Sequence, residues 1–229
     1  MLGTIVNVGA IIVGSGIGLL IKGGLPERFR NSIMQALALF VIIVGIMGAT
    51  ATSNAILVLI CLVIGTIIGE IIDIDKRLEI FGDKVKDRFS KNGESNFAQG
   101  FITGSLVYCV GAMAIVGSLN AAIQGDNSIL YTKAVLDGVS AVLFTSVYGI
   151  SVMLAAVSVF VYQGAITLLA GIIAPYLSSA AIAEMSAVGG VLILGLGFSI
   201  MEIKRVKVAN MLPAVFLPPI YLLIESLFK

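Results

Sequence analysis

Leu2-Gly-Thr-Ile-Val-Asn-Val-Gly-Ala-Ile-Ile-Val-Gly-Ser-Gly-Ile-Gly-Leu-Leu-Ile21 runs for twenty residues without a charged side chain. A hydrocarbon core about 30 Å thick needs roughly 20 apolar residues of helix, so this stretch alone predicts a membrane crossing. Further apolar segments follow at 32–50, 55–74, 98–123, 134–155, 157–175, 186–203 and 209–228. The chain is 59% hydrophobic and 12% charged, with a mean hydropathy of +1.10, which is the composition of a multi-pass membrane protein. The expected fold is an all-α polytopic transmembrane helix bundle of about seven to eight spans, in one integral membrane domain, 1–229.

Composition also excludes chemistry. The chain has no histidine, which removes imidazole metal sites, Ser-His-Asp triads and histidine proton relays. Cys61 and Cys109 both lie in apolar stretches and form neither a disulfide framework nor a CxxC pair. Gly14, Gly16 and Gly18 have the wrong spacing for a dinucleotide fingerprint and follow no strand. A net charge of +1 points to no nucleic-acid partner, and no cofactor is expected. Met1-Leu-Gly-Thr lacks the basic start of a cleaved leader. The partners expected are the lipid bilayer, a small ion or solute and further copies in a homo-oligomer.

Charge asymmetry sets a direction. Lys22, Arg28 and Arg30 follow the first segment, Lys76, Arg77, Lys84, Lys86, Arg88 and Lys91 the third, and Lys204, Arg205 and Lys207 the seventh. Those loops hold 12 of the 14 basic residues. The positive-inside rule places all three in the cytoplasm. The region 134–175 must then cross twice or not at all. Eight spans with both termini outside is the favoured reading. The break falls near Tyr148-Gly149 or Gln163-Gly164, and a re-entrant pair of half-helices is the rival. Within 75–96, Ile74, Leu78, Phe81, Val85 and Phe89 recur at helical spacing, which predicts an amphipathic helix on the inner membrane surface.

Segments one, three and seven look alike. Gly9, Gly14 and Gly16 share their mutual spacing with Gly190, Gly195 and Gly197, and Gly65-to-Glu70 matches Gly197-to-Glu202. A parallel internal repeat would produce this. Gly14/Gly18, Gly65/Gly69 and Gly195/Ser199 are small-xxx-small pairs, expected where two helix backbones pack closely.

Polar residues divide by depth. Glu70, Asp73 and Glu202 fall near the cytoplasmic ends of their segments and outline an inner mouth. Lys133 and Asp137 open the fifth segment on its outer side as an i, i+4 pair, with Asn120 completing an outer mouth. On these boundaries no span carries a charge at mid-depth. Cys109-Val-Gly-Ala-Met-Ala-Ile-Val-Gly-Ser-Leu-Asn120 is the most irregular helix, with Gly111 and Gly117 placed to bare backbone groups toward a pathway.

Gly111-Ala-Met-Ala-Ile-Val-Gly117, Gly125-Asp126 and Lys133 through Asp137-Gly138 resemble the YqgA/YdfK-like family of bacterial inner-membrane proteins, a domain of unknown function. The resemblance covers essentially the whole chain, including Asn7 and the Gln163-Gly164 step. It implies a bacterial plasma-membrane protein with several spans and supplies no activity and no site residues.

The leading functional expectation is a transporter or channel for a small ion or solute, not an enzyme. Asn120, Lys133 and Asp137 would form its outer site, Gly111 and Gly117 its narrow part, and Glu70 with Glu202 its inner mouth. A scaffold or regulatory protein using the 75–96 helix is the alternative. A membrane enzyme built on Glu70, Asp73 and Glu202 ranks third.

Overall fold

The computed structural model describes residues 1–22, 26–77, 80 and 97–227. The amphipathic stripe expected over 75–96 lies almost wholly outside the described residues. Every described element is helical: α1 (Leu2–Lys22), α2 (Glu27–Ala49), α3 (Ala55–Ile72), α4 (Phe97–Cys109), α5 (Ala112–Ile123), α6 (Ser128–Tyr148), α7 (Ser151–Leu168), α8 (Ala170–Ile173), α9 (Ser179–Ile200), α10 (Val208–Met211) and α11 (Leu217–Leu227). Among the described residues, seven helical stretches are long and apolar enough to cross a membrane, and α4 and α5 pass that test only together, as a pair bent by 53°.

The ends of these helices follow local chemistry. Asn54 caps α3 by accepting from the Leu57 N–H at 3.1 Å, and Ser178 caps α9 by accepting from Ala181 at 3.1 Å. Gly149, with φ of 77°, turns the chain between α6 and α7, so the region 134–175 holds two helices and the break is at Tyr148-Gly149. The last span is a composite. Pro213, Pro218 and Pro219 remove backbone donors, and the chain passes from α10 through a 3₁₀ turn, Leu212–Phe216, into α11.

Several expected boundaries move: the helix of the second span begins at Glu27 instead of 32, and the sixth runs from Ser151 to Leu168 instead of 157–175. The fifth span begins at Ser128 instead of 134, and the seventh at Ser179 instead of 186. Lys133 and Asp137, expected to open the fifth span, are buried within the helix, and Glu184, ahead of the expected start of the seventh, is buried in α9. The start of α6 is fixed by Asp126, whose Oδ1 accepts from the Ser128 N–H at 2.9 Å. That bond and the Ser128 hydroxyl hold the Asp126 carboxyl below its ordinary range. Asp137 is therefore the tenth residue of a 21-residue helix, and the expectation of uncharged mid-depth spans is corrected.

Glycine contacts fix the relative directions of the spans. Along α1, Gly3 meets Leu130, Gly14 meets Gly138 and Ala141, and Gly18 meets Thr145, an ascending register that makes α1 and α6 parallel. Gly100 meets Ser151 and Gly104 meets Ala155, so α4 and α7 are also parallel. Gly45 meets Leu194, Gly48 meets Gly190 and Gly197 meets Ile42, so α2 and α9 are antiparallel. Gly65 on Ala214 and Gly69 on Asn210 give α3 the same relation to the last span. Eight alternating crossings require the first and fifth, and the fourth and sixth, to be parallel. They require the second and seventh, and the third and eighth, to be antiparallel. All four pairs comply with that alternation.

These pairings also sort the spans into two halves. One holds α1, α4, α5, α6 and α7; the other holds α2, α3, α9 and the last span. The halves meet where α9 crosses α4 and α5 and where α2 reaches α6.

Gly14, Gly18, Gly65 and Gly69 lie at close helix–helix contacts, as small-xxx-small spacing predicts. Gly195 instead faces Val206 of the following loop and Val208 at the start of α10. The matched glycine spacing of α1 and α9 does not give matched surroundings. Gly9 and Gly16 face open space, while Gly190 and Gly197 are pressed against α2. Overpacking a contact of this kind costs about 1–3 kcal/mol or more. Gly190→Val and Gly69→Val should therefore each lower the melting temperature of the detergent-solubilised protein by several degrees. Gly9→Ala and Gly16→Ala should leave it unchanged or slightly raised.

Candidate functional site: a buried ion pair beside a broken helix

Lys133 and Asp137 stand one turn apart on α6. The Lys133 Nζ donates to Asp137 Oδ2 at 2.7 Å and to Oδ1 at 2.9 Å. Asn7 of α1 donates its Nδ2 to Oδ2 at 3.0 Å. Lys133 is 7% exposed, Asp137 5% and Asn7 0%. With a rise of about 1.5 Å per residue, Asp137 lies about 14 Å along a helix about 31 Å long. In hydrocarbon surroundings a lone charge at that depth costs several kcal/mol. Each of these two charges is tolerated because the other is present.

The fourth span breaks at the same depth. Its halves, 13 and 12 residues long, meet at Val110-Gly111. Gly111 has φ of 143° and ψ of 152°, a conformation closed to residues with a Cβ, and it heads α5 without a side-chain cap. The break leaves the last carbonyls of α4 and the first N–H groups of α5 without helical partners. It brings together the negative end of one helix dipole and the positive end of another. Irregular backbone at membrane depth is stable only where it is buried in protein or lines a wet cavity. Val110 anchors the break by lying over Gly189 of α9, where a side chain would collide with it.

A cavity of about 810 Å³ occupies the junction of the two halves. Lys133, Asp137 and Ser140 line it from α6, Val110 and Gly111 from the break, Phe40 and Met47 from α2, and Ser186, Gly190 and Ile193 from α9. Its walls are otherwise aliphatic. Met47, Leu136 and Val139, all more than half exposed, mark a seam between α2 and α6 along which it is open.

Other polar groups are buried elsewhere in the bundle. The side-chain polar atoms of Thr4, Ser118 and Gln163 and the Asn7 Oδ1 are buried without a hydrogen-bond partner. Gln163 is 0% exposed on α7. Glu184, 2% exposed, is held by the turn between α2 and α3. Its Oε2 accepts from the Thr52 hydroxyl at 2.5 Å, and its Oε1 accepts from the Ser53 N–H at 3.0 Å and the Ser53 hydroxyl at 3.2 Å. Glu184 lies two residues before Ser186, at the edge of the cavity wall. Among the described residues, no three acidic or cysteine side chains cluster as a metal site would require.

Of the residues singled out in the sequence, the structure brings Lys133, Asp137 and Gly111 to one cavity. Asn120 is half-buried in the last turn of α5, about two turns toward the helix end, and does not line it. Gly117 is covered by Ile129 and Leu130, so it serves contact with α6. Glu70 is exposed and paired with Lys207 at 3.3 Å beside a shallow groove that includes Thr66 and Met211. Glu202, at φ of 58°, is exposed in the turn that ends α9. Asn7 was not expected at the site, nor were Glu184, Gln163 and Tyr108 expected to be buried. Asn7 and Gln163 did carry a signal, as lone amides within long apolar runs.

Removing one partner of a buried pair costs about 3–5 kcal/mol, whereas replacing both by apolar residues of similar size is close to neutral. Lys133→Met and Asp137→Leu should each destabilise the protein by that order, and the double variant should recover most of the loss. Thermal unfolding in detergent measures the cycle.

Residues 2–223 match the family described as a protein of unknown function, DUF554. The chain is 35% identical to the uncharacterized membrane protein YdfK of Bacillus subtilis (strain 168) over 232 residues, covering 100% of this chain and 98% of that one. It is 30% identical to the uncharacterized protein YqgA of Escherichia coli (strain K12) over 221 residues, covering 95% and 94%. No solved structure matches. The chain belongs to the DUF554 family and is a membrane protein with several transmembrane helices.

Proposed function

We propose that this member of the DUF554 family is a transporter or channel for a small ion or solute, with the Lys133–Asp137 cavity as its central site. The observation that carries this reading is the meeting, at mid-depth, of a buried ion pair, a helix broken at Gly111 and an open cavity between two halves of the bundle. Discontinuous helices and membrane-embedded charges are the features by which transporters bind cargo near the bilayer midplane. A protein that served only as a scaffold would be more stable with an unbroken helix and an apolar pair in their place.

Each half has its own close glycine contacts, while the cavity occupies the space between them. Rocking one half against the other would expose the pair to either side in turn. Glu184 and its Thr52–Ser53 turn join α9 to the α2–α3 connection beside the cavity and would act as a latch on one side. The ion pairs Glu70–Lys207 and Asp75–Arg205 would brace the other. With the basic loops in the cytoplasm, both termini lie outside, in the plasma membrane of a bacterial cell. The reading involves no catalytic step and no cofactor.

Proteoliposome flux across a panel of inorganic ions and amino acids tests the assignment. Asp137→Asn and Lys133→Met should lower the responsive flux by about tenfold or more, since each 1.4 kcal/mol of lost site interaction is a factor of ten. Unchanged flux in both variants removes the cavity from the pathway. In a Cys61→Ser, Cys109→Ser background, a cysteine at Gln124 should react with a membrane-impermeant maleimide on intact cells, and one at Lys204 should not. The opposite pattern inverts the topology.

A further inference from the structure

We infer that the cavity takes a small zwitterion with an apolar body, an amino-acid-like solute, which binds by exchanging partners with the Lys133–Asp137 pair. The inference rests on the transport reading of this cavity and specifies its cargo.

Charge balance points to this class. The empty site holds one cation and one anion in mutual contact, so it is neutral. An occupant bearing a net charge would leave an unbalanced charge among aliphatic walls, at a cost of several kcal/mol. A zwitterion adds none. Its carboxylate takes the place of Asp137 on the Lys133 ammonium, and its ammonium takes the place of Lys133 on Asp137, so one internal pair becomes two intermolecular ones. Asn7 keeps Asp137 positioned from the side away from the cavity, with its 3.0 Å bond to Oδ2.

The broken span supplies the same two polarities at the same place. The N–H groups at the head of α5 suit a carboxylate, and the terminal carbonyls of α4 suit an ammonium. Gly111, between them, lines the cavity together with both charged residues. The remaining wall, with Phe40, Met47, Leu136, Val139 and Ile193, offers mainly dispersion contacts, and its two serine hydroxyls, Ser140 and Ser186, already donate to the Asp137 and Ile182 carbonyls. The occupant therefore has its polarity at one end and an aliphatic or aromatic body at the other. A volume of about 810 Å³ is ample for such a solute.

The chain contains no tryptophan, so Phe40→Trp installs a single fluorescent reporter in the cavity wall. The purified full-length variant is titrated with L-leucine, with 4-methylpentanoate (no ammonium), with 3-methylbutylamine (no carboxylate) and with glycine (no apolar body). Leucine should give a saturable change, and each truncated analogue should bind about tenfold weaker or worse, one lost interaction of about 1.4 kcal/mol. The charge-exchanged variant Lys133→Asp, Asp137→Lys retains a pair but reverses it against the helix ends. It should unfold at a similar temperature and lose the leucine response. Either single-charge analogue matching leucine, a leucine response that survives the exchange, or no response to leucine at all overturns the inference. Potassium and chloride fluxes in proteoliposomes separate it from the broader reading. Asp137-dependent ion flux without a leucine response overturns the zwitterion and leaves transport standing, and no flux of any solute overturns both.

Discussion

The mutual neutralisation of Lys133 and Asp137 is the interaction on which the architecture around the cavity depends. Water cannot solvate either group at that depth, so position, rotamer and neighbours are all constrained by the demand that each face the other. The i, i+4 spacing meets that demand within one helix, and Asn7 meets the rest from a helix 130 residues away in sequence. Close approach of α1 is what makes the Asn7 contact attainable. Gly14 and Gly18 permit it, because a side chain at either would strike the α6 backbone.

The same rule governs the broken span. A helix that stops inside a bilayer must hand its free carbonyls and N–H groups to something, and here they lie next to the two charges. Gly111 is needed for its backbone angle and Gly189 for its lack of a side chain beneath Val110. The cavity is the space left where these requirements meet α2 and α9. Its polar end is dictated by electrostatics and its apolar flank by the seam between the two halves.

Much of the fold was legible because hydrocarbon imposes one length and one composition on every span. The irregular fourth helix followed from glycine placement, and Gly149 was one of two glycine steps that the sequence offered for the next break. What misled was treating charge as a marker of depth. Asp137 was placed with Lys133 at the outer end of its span, and Glu184 drew no reading. Their partners are Lys133, one turn away, and Thr52 with Ser53, more than 130 residues away. The first partnership was visible at i, i+4, and only its depth was misjudged. The second is tertiary and has no periodic trace. Gly117 and Gly111 look equivalent in the sequence, but only the backbone angle separates a packing contact from a helix break. Nothing local encodes that the fourth and fifth spans fold back so that Leu130 covers the former.

The parallel pairing of α1 with α6 has a consequence for how the protein is made. The ribosome delivers α1 first, yet its glycine-lined flank and Asn7 have no mate until residues 128–148 have been synthesised. α2 and α3 likewise wait for α9 and the last span. Insertion order and assembly order are thus uncoupled. For most of translation the bilayer holds solitary helices whose glycine-lined flanks, and the Asn7 amide, face lipid or an insertase instead of their partners. Biogenesis, more than the finished bundle, would be where this protein leans hardest on cellular assistance.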